Sequence, residues 1–582
     1  MTLGALIRQR GTDPVTASKP FVRFFGWECS FSAYYQECVA WAHLFLALRS
    51  KNSSAREAFH IGILLDNTPD YLFALGGAWL AGAVAVGINN TKRGQHLARD
   101  IEYTDCGLLI TEPHYLEFLL PVLERARLVP EQVVVSRRWQ GLGRDPSMAQ
   151  PPAHPTAPMQ DAEELLRALR GRPDPHVACA EQDLAMLIFT SGTVTAPKAV
   201  QCSHRRLMET GENLARNVYG LGAGDAGYIA MPLFHANAVM CGFLPALAAG
   251  VPVGLARKFS KQHWLADIRL YRATYFNYTG KPLAYILSTP RREDDADNPL
   301  RICFGNEGSH RVVREFEERF GCRVVDVFGS SEGGLGVTRQ PDDPPGSIGF
   351  PAPGIAVVDE HGRERPPARF DEHGRLLNPE ECIGEIVNTQ GVAWFEGYYK
   401  NESATAERTR FGWYWSGDLG YKDERGYLYF AGRTTEWLRV DGENFLARPV
   451  EEILLRHPDV TLAAVYGVPD PDGGDQVMAA LVLREGASFD PDRFAAFLQA
   501  QPDLSPKWVP KFVRIAAELP QTASTKVLKN ELRRQKFLPE RCRDPLYWRP
   551  GRELSYRRFS AADLDTLLAA FTRSGREALL EV

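Results

Sequence analysis

Between Ala58 and Thr111 the chain repeats one pattern. Short β-branched runs (FHIGILLD, AVAVGIN, CGLLIT) alternate with helix-like segments (PDYLFALGGAWLA, GQHLARDIEY). This alternation predicts parallel α/β structure. It resumes at LAMLIFT, AGYIAMPLF and RVVDVFG. A polar, proline-rich stretch from Gly141 to Pro175 reads as a surface excursion, and Pro341 to Gly354 is a second Pro/Gly-rich stretch. From about Ile383 the pattern turns shorter and strand-rich. After Arg433, strand-like LAAVYGV and MAALVLRE accompany helix-like RPVEEILLRH and PDRFAAFLQA, which predicts a small α+β module. No internal repeat is present.

At 582 residues the chain is too long for one compact domain. Its 67 basic and 72 acidic residues leave a net charge of −5, with no basic surplus to bind nucleic acid. With 44% hydrophobic residues it is too apolar for disorder. Ten cysteines are scattered without a CxxC or paired spacing. They read as reduced thiols in a cytoplasmic protein rather than a disulfide framework or zinc site. The start, MTLGALIRQRGTDPVTA, carries no secretory pattern. Two stretches, Tyr71–Thr91 and Ala226–Ala256, are uncharged and long enough to span a membrane. Four glycines in the first and three prolines in the second predict buried core instead.

The strongest local signal runs from Ile188 to Val200, IFTSGTVTAPKAV. A strand leads into a loop rich in hydroxyls (Thr190, Ser191, Thr193), opened by Gly192 and closed by Lys198, a chemistry suited to phosphate. It is not a Walker A loop, since GxxxxGK[ST] is absent.

This segment resembles the phosphate loop of the adenylate-forming superfamily, [ST]SG[ST]TGxPK. Further segments match in the same order: DVFGSSE (326–332), GSIGFPAPG (346–354), WYWSGD (413–418) with GYLYFAGR (426–433), and PQTASTK (520–526). They cover about residues 20–540. ATYFNYTGKPLAYIL (273–287), ICFGNE (302–307), Gly442-Glu443-Asn444 and DPLYW (544–548) resemble the very-long-chain acyl-CoA synthetase branch, which includes fatty-acid-transport-type proteins. The implied architecture is α/β. Residues 1–432 form a large ATP- and acyl-binding part of stacked α/β subdomains with a small β-barrel-like unit. Residues 433–582 form a mobile α+β domain with an extension from about 543.

The resemblance implies an acyl-CoA ligase that activates a carboxylic acid, a long- or very-long-chain fatty acid or a steroid side-chain acid, through acyl-AMP. It implies ATP, Mg²⁺ and CoA as co-substrates or cofactors, and a monomer or homodimer with at most peripheral membrane contact. Lys526 would bridge the carboxylate and the α-phosphate, with Thr193, Glu332 and His235 completing the catalytic set. Glu332 would hold Mg²⁺, with Ser331 on the phosphates. Phe328 would stack on adenine, bordered by Gly305, Asn306, Glu307, Asp326, Val327, Gly329 and Phe430. Asp418 would accept the ribose hydroxyls, and Arg433 would bind ribose or phosphate at the hinge. Arg439, Gly442, Glu443 and Asn444 would meet CoA. His235, Tyr275, Tyr278 and Gly280 would line the acyl pocket. The sequence departs from the pattern at Val194-Thr195, where Thr-Gly is usual; a hydroxyl is lost and the loop stiffens. Two other readings share these motifs: an acyl-AMP ligase that loads a carrier protein, and a binding subunit that does not turn over ATP.

Overall fold

The computed structural model describes residues 1–51, 59–142, 159–190, 197–306, 308, 310–372, 376–433, 437–440, 443–471, 475–522, 526–551 and 553–581. The alternating segments form a seven-stranded sheet in the order Gln160–Asp161, Val133–Val135, Cys106–Thr111, His60–Leu64, Val84–Gly87, Leu184–Phe189, Ala199–Ser203. Its pairings are parallel except the last, where Leu184–Phe189 and Ala199–Ser203 run antiparallel.

The first uncharged stretch becomes a buried helix, Pro69–Leu80, and the buried strand Val84–Gly87. Pro69 occupies the first helical turn, where its missing N–H costs nothing, and Gly82 at φ +64° turns the chain into the strand. The second stretch also stays inside. It supplies the strands Gly227–Ile229 and Val253–Leu255, a wide π-helical segment Asn237–Phe243 and the helix Leu244–Ala249. Among the described residues no helix is long and apolar enough to cross a membrane.

Those two strands belong to an eight-stranded sheet. Its central run of Gly227–Ile229, Tyr275–Thr279, Ile302–Asn306 and Arg323–Gly329 is parallel. The helices Leu3–Thr12, Phe31–Lys51 and Pro69–Leu80 pack on one another, and one apolar core runs through both large sheets. From Ser347 to Arg433 a five-stranded antiparallel sheet stands where the barrel-like unit is expected. A hairpin, Trp437–Val440 with Glu443–Leu446, follows. A last five-stranded sheet spans Val460 to Arg558 and takes its last two strands, Leu546–Trp548 and the edge strand Arg557–Arg558, from the C-terminal extension. All ten cysteines are free thiols.

The last sheet makes polar contacts with the helix His310–Phe320, while its Leu462, Ala464 and Tyr466 join the apolar core of the body. Arg484 pairs with Glu315 at 3.1 Å, and Arg311 Nη2 donates to Val460 O at 2.7 Å. Tyr285 Oη donates to Gln521 Oε1 at 2.7 Å.

His204 fastens the first helix to the body by accepting the Leu3 N–H at Nδ1, 3.3 Å. Burial pushes its pKa down to about 4. The unfolded imidazole takes a proton below its ordinary 6.5 while the folded one does not until about 4. Stability is therefore full above pH 6.5 and lost as pH falls through that window. From pH 6.5 to 5 the loss is about 2 kcal/mol. Urea midpoints at pH 7 and pH 5 should show this loss shrinking in His204→Asn, which keeps an acceptor but has no proton to gain.

Candidate functional site

The carboxyl ends of parallel strands leave backbone groups unpaired and loops free to vary, so ligands gather there. Here the ends of Tyr275–Thr279, Ile302–Asn306 and Arg323–Gly329 open on a cleft of 2470 Å³, closed from the far side by the antiparallel sheet and the C-terminal domain. Single-ligand pockets run to roughly 1,000 Å³, so this cleft has room for more than one.

One wall comes from the strand ends. Gly305, Asn306, Asp326, Val327, Phe328 and Gly329 all line the cleft. Gly305 is required by a close approach, since a Cβ there would lie 2.3 Å from Tyr278 O. Asp326 is tightly held: Tyr278 Oη donates to it at 2.7 Å, Gly308 N at 2.8 Å, and Arg339 pairs with it at 3.4 Å. Phe328 and Phe430 face each other with centroids 5.4 Å apart. From the antiparallel sheet Asp418 reaches the same space, and its Cα pairs in register with that of Arg433.

Thr190 and Lys198 line the cleft at the two ends of the phosphate-type loop, which the hydrogen bond from Thr190 N to Lys198 O, 3.0 Å, closes at its base. Ser191, Gly192, Thr193 and the Val194-Thr195 departure lie outside the described residues, as do Glu307 and Gly442. The side chains of Arg433, Arg439, Glu443 and Asn444 also lie outside them. In backbone terms Arg439 is the cross-strand partner of Asn444 in the hairpin.

Ser331 and Glu332 follow the strand Arg323–Gly329 and also line the cleft. Glu332 is buried and accepts the Tyr398 hydroxyl at Oε1, 2.7 Å, a bond that engages one of its two oxygens. Carboxylate and hydroxyl oxygens at this end make a hard donor set that suits a hard divalent cation carried on phosphates.

His235 sits on a turn fixed from beneath. Asn67 Nδ2 donates to Met231 O and Asn67 Oδ1 accepts from Leu233 N, both at 2.9 Å. At Gly87 a Cβ would lie 2.8 Å from Phe234 O, so the strand end carries no side chain there. The His235 Nε2 is buried without a hydrogen-bond partner while the ring lines the cleft. Burial, then the positive charges of Lys526 and Lys92, push its pKa down to about 4, so the imidazole is neutral at pH 7.

Lys526 lines the same cleft from a tight loop: Thr522 N donates to Lys526 O at 2.7 Å, and Lys526 N to Thr522 Oγ1 at 3.1 Å. His235 and Lys526, 291 positions apart in the chain, thus meet across one space.

The acyl-wall expectation needs correction at Tyr275 and Tyr278. Both rings are fully buried and neither lines the cleft, and their hydroxyls are committed to Gly242 O and Asp326. Gly280, at φ +75°, turns the chain after the strand and also stays off the wall. The strand Tyr275–Thr279 is buried at every position, so no alternation of polarity tells which side chains face a ligand. Thr279, Phe304, Leu214, Met240 and Cys241 form the lining in their place. Met240 and Cys241 project from the π-helical segment, whose extra width no periodicity announces.

Arg206 was not legible as part of the site either. This buried cation lines the cleft and bonds Gln201 O at 2.9 Å and Ser331 O, tying the strand after the phosphate loop to the Glu332 turn. Arg408, beside Tyr398 and Glu332, also lines it.

The family model described as AMP-binding enzyme matches residues 14–399, and that of the AMP-binding enzyme C-terminal domain matches 449–526. The chain is 46% identical to the steroid-22-oyl-CoA synthetase of Rhodococcus jostii over 529 residues, 90% of each chain. It is 44% identical over 524 residues to the medium/long-chain fatty-acid–CoA ligase FadD17 of Mycobacterium tuberculosis, covering 89% of this chain and 94% of that one. The crystal structure of the anthranilate CoA ligase AuaEII in complex with anthranoyl-AMP superposes with a TM-score of 0.76 at 20% identity, covering 92% of this chain and 96% of that one. That likeness is one of fold.

The electrostatics of the cleft can be read directly. The His235 imidazole signals should not titrate between pH 5.5 and 8 by NMR, and Lys526→Met should move the His235 pKa upward from about 4. A histidine titrating near 6.5 in the parent protein would contradict this geometry.

Proposed function

The chain is a member of the AMP-binding enzyme family, and on that footing we propose that it is an ATP-dependent acyl-CoA ligase for a bulky apolar acid, a long fatty acid or a steroid side-chain acid. One observation carries the reading: Lys526, His235, the Phe328 wall and the Glu332 turn share a single cleft too large for one ligand.

A carboxylate is a poor electrophile because resonance and negative charge protect its carbon. The enzyme therefore makes it the nucleophile first. A carboxylate oxygen attacks the α-phosphorus of ATP, pyrophosphate leaves, and acyl-AMP forms. The CoA thiolate then attacks the acyl carbon, and AMP leaves as a stabilised anion.

The Lys526 ammonium balances the charge that gathers on the carboxylate and α-phosphate as the bond forms. Neutral His235 offers its unpaired Nε2 to the acid without adding a charge that would compete with Lys526. Phe328 and Phe430 hold the adenine, Asp418 the ribose, and Thr190, Ser191, Thr193 and Lys198 the phosphates. Mg²⁺ held by Glu332 would neutralise phosphate charge. Leu214, Met240, Cys241 and Phe304 receive the apolar part of the acid.

For the second half, the domain after Arg433 turns so that the Arg439–Asn444 hairpin replaces Lys526 and admits CoA. The docking contacts suit such a turn. Arg484 and Glu315 are both over a third exposed, and exposed pairs contribute about 0–1 kcal/mol.

The test is pyrophosphate release across medium-chain, long-chain and steroid-type acids, with free CoA as sole acceptor. Release with apolar acids, and acyl-CoA as product, is the expected result. No release with any acid would remove the reading, and acyl-AMP accumulating without thioester would favour transfer to a carrier protein. Lys526→Ala should cut adenylation on the order of 10²–10³-fold yet still form thioester from supplied acyl-AMP. Phe328→Ala should weaken AMP binding by about 5- to 150-fold, the value of one lost base stack, in a calorimetric titration.

A further inference from the structure

Tyr398 lies behind the cleft wall, not on it, and is almost fully buried. Several contacts converge on it, among them a side-chain hydrogen bond with Arg408. Its hydroxyl donates to Glu332 Oε1 at 2.7 Å. The Lys198 ammonium stands over its ring, 5.5 Å from the centroid. Its backbone is annealed to the strand Ala199–Ser203 that begins immediately after Lys198. There Val200 and Tyr398 form an antiparallel bridge, flanked by Gln201 N to Gly397 O at 3.0 Å and Tyr399 N to Ala199 O at 2.8 Å. Thr405 Oγ1 accepts the Tyr398 N–H at 3.0 Å from the other side.

We infer that Tyr398 is a positioning residue that couples the two charged ends of the triphosphate site, setting the Glu332 carboxylate for a divalent cation and the Lys198 ammonium for the phosphates. This rests on the metal role proposed for Glu332.

The physical case is one of competition. Glu332 sits in a buried setting with Arg408 nearby and Lys198 across the ring. A carboxylate among cations collapses onto one of them unless a neutral donor holds it elsewhere. A phenol is such a donor. Its O–H lies 2.7 Å from Glu332 Oε1 and donates there. With Oε1 engaged, the second carboxylate oxygen is oriented without being consumed. The ring face offers Lys198 an attraction that leaves all its N–H donors for phosphate oxygens. The pairing with the Ala199–Ser203 strand makes the two placements interdependent, because any shift of the phosphate-loop exit moves the Tyr398 hydroxyl.

The test uses the full-length protein with a non-hydrolysable α,β-methylene ATP analogue and Mn²⁺, read by electron paramagnetic resonance, so that no turnover is involved. Tyr398→Phe keeps the ring and removes the hydroxyl. It should weaken Mn²⁺ binding in the nucleotide complex by about 10- to 100-fold, as lost partners of metal ligands do. Affinity for AMP, which needs no metal, should stay at the parental value, and the urea midpoint should fall only by the worth of the lost buried hydrogen bonds. Tyr398→Leu, which also removes the ring, should further lower affinity for the analogue in EDTA. Mn²⁺ affinity in Tyr398→Phe equal to that of the parent would overturn the proposal. If Tyr398→Phe does not fold, Thr405→Val, which deletes the acceptor of the Tyr398 N–H together with the Thr405 bond to Asn401 O, serves the same comparison. A drop in Mn²⁺ affinity supports the coupling and an unchanged one overturns it. Should the parent take up no Mn²⁺ with nucleotide, the Glu332 metal role falls and this inference with it, while pyrophosphate release still judges the ligase reading on its own.

Discussion

The docking of the C-terminal sheet on the helix His310–Phe320 decides whether there is a site at all. That helix connects the strands Ile302–Asn306 and Arg323–Gly329, whose ends carry Gly305, Asn306, Asp326 and Phe328. The element that joins these strand ends is therefore also the one that meets Arg484 and Val460, with Tyr285 and the Lys526 loop close by. The contacts with this helix are polar and partly exposed, while Leu462, Ala464 and Tyr466 of the sheet join the apolar core of the body.

Charge in the cleft is managed by burial rather than by number. The whole chain carries a net −5, yet the site gathers Lys198, Arg206, Arg408 and Lys526 around Glu332 and Asp418. Three of these cations already have a structural engagement: Arg206 with two backbone carbonyls, Arg408 with Trp415 O, Lys198 with the Tyr398 ring. A preorganised positive field of this kind costs little reorganisation when an anion arrives. Neutral His235 fits the same logic, since a second charge beside Lys526 would raise the cost of emptying the cleft.

Much of the fold could be read from local pattern. The run from Ala58 to Thr111, the buried fate of the two uncharged stretches, and the strands and helices after Arg433 all follow from hydrophobic period and turn residues, because parallel sheets need both. The motifs likewise marked Thr190, Lys198, Phe328, Glu332, Asp418 and Lys526, and all of these line the cleft. Tyr275 and Tyr278 misled for a physical reason. On a strand buried over its full length a tyrosine looks the same whether its hydroxyl meets a ligand or a backbone carbonyl. Arg206, Arg408 and Tyr398 left no local trace, because what distinguishes them is a partner more than 60 residues away or a carbonyl across the cleft.

Chemistry that resides in a contiguous stretch was therefore available before any coordinates: the loop closed by Lys198, the DVFGSSE turn, the lysine at 526. Such stretches are short because one ligand group is bound by neighbours along the backbone, and adjacency is what a linear chain records. The apolar lining of the cleft and the placement of Tyr398 between Lys198 and Glu332 depend on strands paired across more than a hundred residues and on the width of a π-helical segment. Those are properties of packing, which exists only once distant segments are brought together, and so the tertiary structure alone decided them.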